Sequence, residues 1–161
     1  MPEIEKSVIA IDPGYDRVGI AIFSNTKELL HSECLIPETK VFTERLLVIK
    51  AHLQTLIEKH RPSALALETL FFSKNQKTAL KVAEARGVIT IAAVELSLPV
   101  YEYSPQSVKI AVTGSGNADK ISVTKMVEQL VPLSKKKRID DEIDAIALGI
   151  AHQASILSRQ F

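Results

Sequence analysis

Four acidic side chains in this sequence stand where carboxylates could do chemistry. Asp12 ends the apolar run Val-Ile-Ala-Ile, and Glu68 ends the apolar run Ala-Leu-Ala-Leu. Asp141 and Asp144 follow near the C-terminus in Asp-Glu-Ile-Asp-Ala-Ile-Ala-Leu. A carboxylate at the end of a buried strand is costly unless a cation or hydrogen-bond donors meet it. Because hard cations prefer oxygen ligands, these acids predict a site for Mg²⁺ or Mn²⁺, and two such ions can drive phosphodiester hydrolysis.

Each of these acids also has a simpler explanation. Asp12 begins Asp-Pro-Gly, a common turn that Asp stabilises through its own side chain. The same pattern after a strand opens sugar kinases and actin-like ATPases. Glu68 is a poor strand residue that can turn to solvent or to a lysine. The acids at 140–144 complement a helix dipole, at about 0.3–1 kcal/mol each.

The spacing of the C-terminal acids favours a pair at the edge of a buried helix face. Asp144 lies beside the apolar stripe of that predicted helix, which is formed by Ile143, Ile146, Ala147 and Ile150. Asp141 is one turn earlier on the same side, since residues three apart are neighbours on a helix. Spacing alone does not choose between Asp140 and Asp141 as the partner of Asp144.

Basic residues are concentrated close to these acids. The formal net charge is only +1, so any nucleic-acid contact requires local clusters of positive charge. Residues 135–138 are Lys-Lys-Lys-Arg and directly precede the C-terminal acids, while Lys109 and Lys120 flank a Gly-containing turn. Lys74, Lys77 and Lys81 follow Glu68. A basic run is often only a solvated loop, but this placement favours contact with phosphates.

The hydrophobic pattern predicts an α/β fold. Its order is three strands, a helix, a strand, a helix, a strand and further helices. The predicted strands are 8–12, 18–23, 28–36, 63–68 and 99–103, and the helices begin near 42, 75, 104, 120 and 139. A sheet that starts with meandering strands and then takes crossover helices is mixed. With acids at its strand ends, a mixed sheet flanked by helices indicates the ribonuclease H-like class.

Length and composition fit one domain spanning residues 1–161. The chain is 46% hydrophobic, enough for a substantial core, and no apolar stretch is long enough to cross a bilayer. The first residues lack the pattern of a signal peptide. The lone Cys34 fits a reducing cytoplasm. We therefore expect a cytoplasmic protein without a membrane partner.

Five stretches of the chain, in this order, resemble the RuvC family of Holliday-junction resolvases. The resemblance covers about residues 8–152. The stretches are Ile-Asp12-Pro-Gly with Gly19 seven residues after Asp12, Glu68-Thr-Leu-Phe-Phe-Ser-Lys-Asn, Ala85-Arg-Gly-Val, Leu98-Pro-Val-Tyr-Glu-Tyr, and Asp141-Glu-Ile-Asp144-Ala-Ile-Ala. Each motif is weak alone, but their order and spacing together are specific.

The resemblance implies a ribonuclease H-like fold, a homodimer, and metal-dependent cleavage of four-way DNA junctions. Its four catalytic, metal-binding acids fall on Asp12, Glu68, Asp141 and Asp144, which selects Asp141 over Asp140. Two Mg²⁺ ions are expected, with Mn²⁺ as a substitute. A branch-migration helicase complex is a further possible partner.

The predicted DNA contacts lie around these acids. The family's aromatic residue falls on Phe71, which with Phe72 would stack on an unpaired base. The family's lysines fall on Lys109 and Lys120, which would hold phosphates. Further predicted contacts are Lys74, Lys136, Lys137 and Arg138. Residues 88–94 are apolar all round, which predicts burial in the core or in the dimer interface.

Three other functions compete with junction cleavage. One is a ribonuclease H-like nuclease acting on RNA, such as a ribosomal RNA processing factor. A second is a junction-binding protein that does not cleave, against which the presence of all four acids argues. A third is an ATP-binding actin-like domain, which needs two lobes and therefore more than 161 residues.

Overall fold

The computed structural model describes residues 7–70 and 76–158, and a five-stranded sheet forms the middle of the molecule. The strand order is β3-β2-β1-β4-β5. Strands β1 to β3 are antiparallel neighbours, whereas β4 pairs in parallel with both β1 and β5. The predicted mixed sheet is thereby confirmed. Its strands are β1 (Val8–Asp12), β2 (Val18–Phe23), β3 (Leu29–Leu35), β4 (Ala64–Glu68) and β5 (Val100–Tyr103).

Helices cover both faces of this sheet. They are α1 (Phe42–His60), α2 (Gln76–Glu95), α3 (Pro105–Thr113), α4 (Lys120–Leu130) and α5 (Asp140–Ser158). They begin within a few residues of the predicted helix starts, and α2 is continuous through Gly87. Within the described ranges, none of the helices has the length and apolar character needed to span a membrane.

The sheet has a hydrophobic core on each face, and alternate residues of each strand contribute to one core or the other. Ile9, Ile11, Leu65 and Leu67 pack with α1 and α2. Ala10, Ala21 and Ala66 pack with α3, α4 and α5 on the other face. Because successive strand residues point to opposite faces, Asp12 and Glu68 belong to the α5 face. Large side chains therefore fill one core, whereas the face that carries the acids has alanines on three neighbouring strands, beside Val8 and Phe23.

Helix α5 packs unusually close to the sheet. A Cβ placed on Gly149 of α5 would lie 2.4 Å from the Phe23 ring, and one on Gly19 of β2 would lie 1.8 Å from the Asp141 carbonyl oxygen. Both distances are far below van der Waals contact. Only glycine permits this approach at either position, so the sequence itself sets the distance between α5 and the sheet.

The apolar segment 88–94 is only half buried within one chain. Ile89, Ala92 and Ala93 are buried in the core shared with α1. Ile91 and Val94 are 52% and 55% exposed. The segment was predicted to lie in the core or in the dimer interface. One side of α2 lies in the core, and the other side is exposed to solvent in a single chain.

We predict opposite effects when two helical glycines are replaced by alanine. Gly149→Ala should destabilise the protein by roughly 1–3 kcal/mol, because the methyl group overlaps Phe23. Gly87→Ala is the matched control: a Cβ there would have no neighbour within 4 Å. It should stabilise the protein by up to about 1 kcal/mol through helix propensity. Urea denaturation measures the free energy of unfolding of both variants. An unchanged free energy of unfolding for Gly149→Ala would contradict the close packing of α5.

Candidate active site

The first two acids are brought together by the pairing of two parallel strands. Ile11 of β1 is in register with Leu67 of β4, so the next residues, Asp12 and Glu68, follow side by side at the carboxyl ends of both strands. Their side chains share a hydrogen bond. Two carboxyl groups can do this only when one carries a proton, so the pair holds less than its full negative charge.

The other two acids reach this pair from the first turns of α5. Gly19 pairs with Asp12 across the β1–β2 hairpin, and its missing side chain makes room for the Asp141 backbone. The charges of both Asp141 and Asp144 act on Asp12. The four acids singled out from the sequence therefore converge, whereas the neighbouring Asp140 is exposed.

Burial and mutual repulsion disfavour the ionised form of the acids in this cluster. Burial, followed by the charges of Glu68 and Asp144, raises the pKa of Asp12 to about 9. Burial is also the main reason that the pKa of Glu68 and the pKa of Asp144 are raised. Like charges in a half-buried site disfavour ionisation. The cluster consequently attracts cations.

Basic side chains of the protein partly neutralise the negative charge of the cluster. Arg17 Nε lies 3.2 Å from Asp141 Oδ2. Lys120 Nζ lies 3.4 Å from Oδ2 of both Asp140 and Asp144. Lys109 and Lys120 also act to lower the pKa of Glu68, against the effect of burial. Sequence reasoning predicted both lysines at this site and missed Arg17, which only the turn of the hairpin directs towards Asp141.

A cleft opens beside the acids between α3, α4 and α5. Its volume is about 270 Å³, and its lining includes Glu68 and Asp144 together with Lys109 and Lys120. Lys120 is the first residue of α4, where Asp119 caps the helix by accepting a hydrogen bond from the Ser122 N–H at 2.8 Å. The cleft thus places two carboxylates and two ammonium groups around a space that a phosphate group could enter.

The acids fit a divalent cation in the chemistry of their oxygen donors, although their side chains are paired with other partners. Four carboxylates are the hard oxygen donors that Mg²⁺ and Mn²⁺ prefer. Across residues 7–70 and 76–158, no three acidic, His or Cys side chains are arranged as a ready set of metal ligands. The reason is visible: Asp12 and Glu68 bond to each other, Asp141 pairs with Arg17, and Asp144 pairs with Lys120.

One residue of the basic segment 135–138, Arg138, is held by contacts within the protein. Arg138 Nε lies 3.2 Å from the Glu142 carboxylate, and the side chain is only 11% exposed. Its Nη1 donates to the carbonyl oxygens of Ser134 and Lys136, and its Nη2 donates to the Ser134 hydroxyl. In this structure the Arg138 guanidinium fixes the segment to α5, and its predicted DNA contact stays a prediction. Lys136 and Lys137 are exposed and line a cavity of about 450 Å³.

The segment after Glu68 carries three predicted DNA contacts that lie outside the described residues, namely Phe71, Phe72 and Lys74. The residues bordering it are well anchored. Arg86 of α2 donates from Nε to the Glu68 carbonyl oxygen at 3.0 Å and pairs with Glu102 of β5. Arg86, which sequence reasoning noted only within a motif, therefore fixes the backbone of Glu68.

Comparison with known sequences gives a consistent result. Residues 8–152 match the family model described as crossover junction endodeoxyribonuclease RuvC. The protein of that name from Moorella thermoacetica is 41% identical over 157 residues, covering 95% of this chain and 94% of its own. The one from Thermosipho melanesiensis is 40% identical over 146 residues, covering 88% and 93%.

Solved structures agree with the sequence matches. RuvC from T. thermophilus, solved in complex with a Holliday junction substrate, has a TM-score of 0.85 and 31% identity, with 96% of each chain covered. The yeast mitochondrial Holliday junction resolvase Ydc2 has a TM-score of 0.65 over 94% of this chain and 80% of its own. At 15% identity, the second likeness concerns the fold alone.

We predict that Asp12→Asn stabilises the protein in EDTA at neutral and alkaline pH. The raised pKa means that the folded protein holds a proton on Asp12 that the unfolded chain releases. Stability from this group is therefore full below about pH 3.8 and is lost as the pH rises through about 9. At pH 8 the substitution should add roughly 1–3 kcal/mol, and thermal melting across pH 5–9 measures it. The exposed Asp140→Asn is the control; a lower melting temperature for Asp12→Asn would contradict the repulsion.

Proposed function

Because the chain belongs to the RuvC family of crossover junction endodeoxyribonucleases, we propose that it resolves four-way DNA junctions by paired, symmetric strand cuts. Recombination and repair generate such junctions. The match extends over nearly the whole chain, and the T. thermophilus relative was solved with this kind of substrate. We propose further that the protein acts in the cytoplasm, with a branch-migration helicase complex as a possible partner.

The convergence of four carboxylates at one end of the sheet carries this proposal. Asp12, Glu68, Asp141 and Asp144 are the catalytic acids in our assignment. They would hold two Mg²⁺ ions, for which Mn²⁺ could substitute, once Asp141 and Asp144 leave their basic partners. When bound there, such ions activate a water molecule and stabilise the leaving oxygen of the cut strand. The hydrogen-bonded carboxyl proton between Asp12 and Glu68 would be released on binding, because both groups would then face positive charge.

Lys109 and Lys120 would hold the phosphates on either side of the cut. Both line the cleft that also contains Glu68 and Asp144. Lys120 is 57% exposed, and its present partners are carboxylates, so a phosphate that approaches the cleft offers it an equivalent anion. Lys136 and Lys137 are placed beyond α4 and would contact DNA further from the cut.

Phe71 and Phe72 would open the junction by stacking on an unpaired base, with Lys74 on an adjacent phosphate. The support for this assignment is their place in the chain, directly after the β4 strand that carries Glu68. The Glu68 backbone is held by Arg86, so a segment leaving β4 starts from a fixed point. Stacking on aromatic rings contributes roughly 1–3 kcal/mol per base in single-strand binders.

A homodimer would supply the two active sites that two symmetric cuts require. The exposed Ile91 and Val94 of α2 are our candidates for its interface. They lie on the α1–α2 side of the sheet, while the acids lie on the α5 side. An interface on α2 would therefore leave both clefts open to DNA.

We predict that Asp12→Asn, Glu68→Gln, Asp141→Asn and Asp144→Asn each reduce junction cleavage to background. Junction binding should persist or tighten, because negative charge is removed while the phosphate contacts remain. Asp140→Asn is the matched control on the same turn of α5 and should cut at close to the wild-type rate. A synthetic four-way DNA junction with Mg²⁺, beside a four-way RNA junction, measures cleavage. Cutting of the RNA alone would favour the ribonuclease alternative, and binding without cutting by wild type would favour a non-cleaving binder.

We predict that Lys109→Ala and Lys120→Ala weaken DNA binding in a salt-dependent way. Each lost phosphate contact should flatten the plot of log affinity against log salt by up to about one unit. Lys59→Ala, at the exposed end of α1, is the control and should leave the slope unchanged. Fluorescence anisotropy with a labelled junction gives the slope, and an unaltered slope would place that lysine away from the DNA.

We predict that the protein is dimeric at micromolar concentration and that Ile91→Glu converts it to a monomer. A charge placed on the apolar surface of α2 would be buried on association at a cost of several kcal/mol. Ile110→Glu is the control, since Ile110 is also 52% exposed but lies on α3. Light scattering after size exclusion measures the mass. A monomeric wild type would contradict the dimer, and a dimeric Ile91→Glu would contradict this interface.

A further inference from the structure

The Arg17 side chain reaches the candidate active site from the β1–β2 turn. Its Nε lies 3.2 Å from Asp141 Oδ2, an oxygen that is shielded from solvent. The contact is an ion pair rather than an aligned hydrogen bond, because Oδ2 has no partner of hydrogen-bond geometry. The Arg17 side chain itself is 53% exposed. One end of this pair is therefore inside the acid cluster, and the other faces solvent.

Two glycines fix the backbone around this ion pair. A Cβ on Gly14 would lie 2.1 Å from the Arg17 carbonyl oxygen, so the turn is packed tightly against itself. Gly19, two residues beyond Arg17, lies against the Asp141 carbonyl oxygen. The same short segment thus contacts Asp141 twice, through the backbone at Gly19 and through the guanidinium of Arg17.

The electrostatic pattern is consistent with an Asp141 held by Arg17. At Cys34, where burial is the main cause of a raised pKa, the charge of Asp141 also raises it and that of Arg17 opposes it. The carboxylate and the guanidinium therefore act as a neutralising pair beside the cluster.

We propose that Arg17 is a positioning residue that competes with divalent cations for Asp141. This inference rests on the proposed function, in which Asp141 is a metal ligand. A cation that binds Asp141 must displace the guanidinium or share the carboxylate with it, and either lowers the affinity for the cation. Once displaced, Arg17 is exposed on the side where the DNA would lie, with a phosphate as its alternative partner.

The test measures cation binding without DNA and without activity. The protein is stripped with EDTA and titrated with Mn²⁺, with free Mn²⁺ followed by electron paramagnetic resonance. Arg17→Gln should bind one Mn²⁺ per chain about two- to fivefold more tightly than wild type, the range expected for loss of a half-exposed ion pair. Arg17→Lys, which keeps the charge, should remain within about twofold of wild type.

Two further variants distinguish competition between Arg17 and Mn²⁺ for Asp141 from a general effect of positive charge on Mn²⁺ affinity. Arg45→Gln removes a guanidinium that pairs with Asp16 of the same turn, and it should leave Mn²⁺ affinity unchanged. In an Asp141→Asn background, Arg17→Gln should no longer alter the affinity. Thermal melting in EDTA checks that each variant is folded.

The outcomes distinguish this inference from the function on which it rests. If wild type binds no Mn²⁺, the metal-dependent function itself fails. If wild type binds Mn²⁺ and Arg17→Gln binds it equally well, the function stands and the competition is overturned. An effect of Arg17→Gln that persists in Asp141→Asn, or is matched by Arg45→Gln, also overturns it, because the ion pair would then not be its cause.

Discussion

The close packing of α5 on the sheet is the constraint on which the candidate site depends. Asp141 and Asp144 can approach Asp12 and Glu68 because alanines of three neighbouring strands and two glycines leave room for α5, although Phe23 also lies on this face. Ala10, Ala21 and Ala66 line that face. Glycine at Gly19 and Gly149 removes the last obstacles. Such small residues bury little apolar area, so the opposite core, rich in Ile and Leu, supplies more of the hydrophobic stabilisation per residue.

Electrostatic repulsion is the second consequence of this packing. The first turns of α5 carry four acids with three different surroundings. Asp140 is exposed, Asp141 and Asp144 join the cluster, and Glu142 is buried on another side. Glu142 is well satisfied there: Ser32 donates to it at 2.6 Å, and Arg138 pairs with it. The acids of the cluster have weaker partners, which leaves them available to bind an added cation. The positive end of the helix dipole lowers the cost for all of them.

The sequence predicted the elements well because the chain is strongly patterned. Buried strands such as Val8–Asp12 and Val18–Phe23 form continuous apolar runs, and Ser104-Pro105 carries an unambiguous helix start. The sequence showed Asp12 and Glu68 at the ends of two apolar runs, but the parallel pairing that brings them side by side is seen only in the structure. The choice of Asp141 over Asp140 did not follow from spacing, because both lie on the first turn of α5, and it needed the family pattern. The catalytic role of all four acids remains a prediction.

Contacts that depend on turns and tertiary packing could not be predicted from the sequence. The Arg17–Asp141 and Arg138–Glu142 pairs have no local signature, since a basic residue in a turn is usually solvated. For the same reason the sequence predicted a DNA contact for Arg138 but did not show that this side chain also pairs with the buried Glu142. Similarly, composition could not show that α2 buries Ile89 while leaving Ile91 in solvent, because both are equally apolar.

The order of the elements along the chain has a consequence during synthesis. Asp12 belongs to the first strand and Glu68 to the fourth, but Asp141 and Asp144 belong to the last helix. A growing chain on the ribosome therefore contains all five strand segments before it contains the complete set of acids, which only the synthesis of α5 supplies. On the proposed function, a chain that ends before α5 lacks two of the four catalytic acids and could not cut the nucleic acids around it.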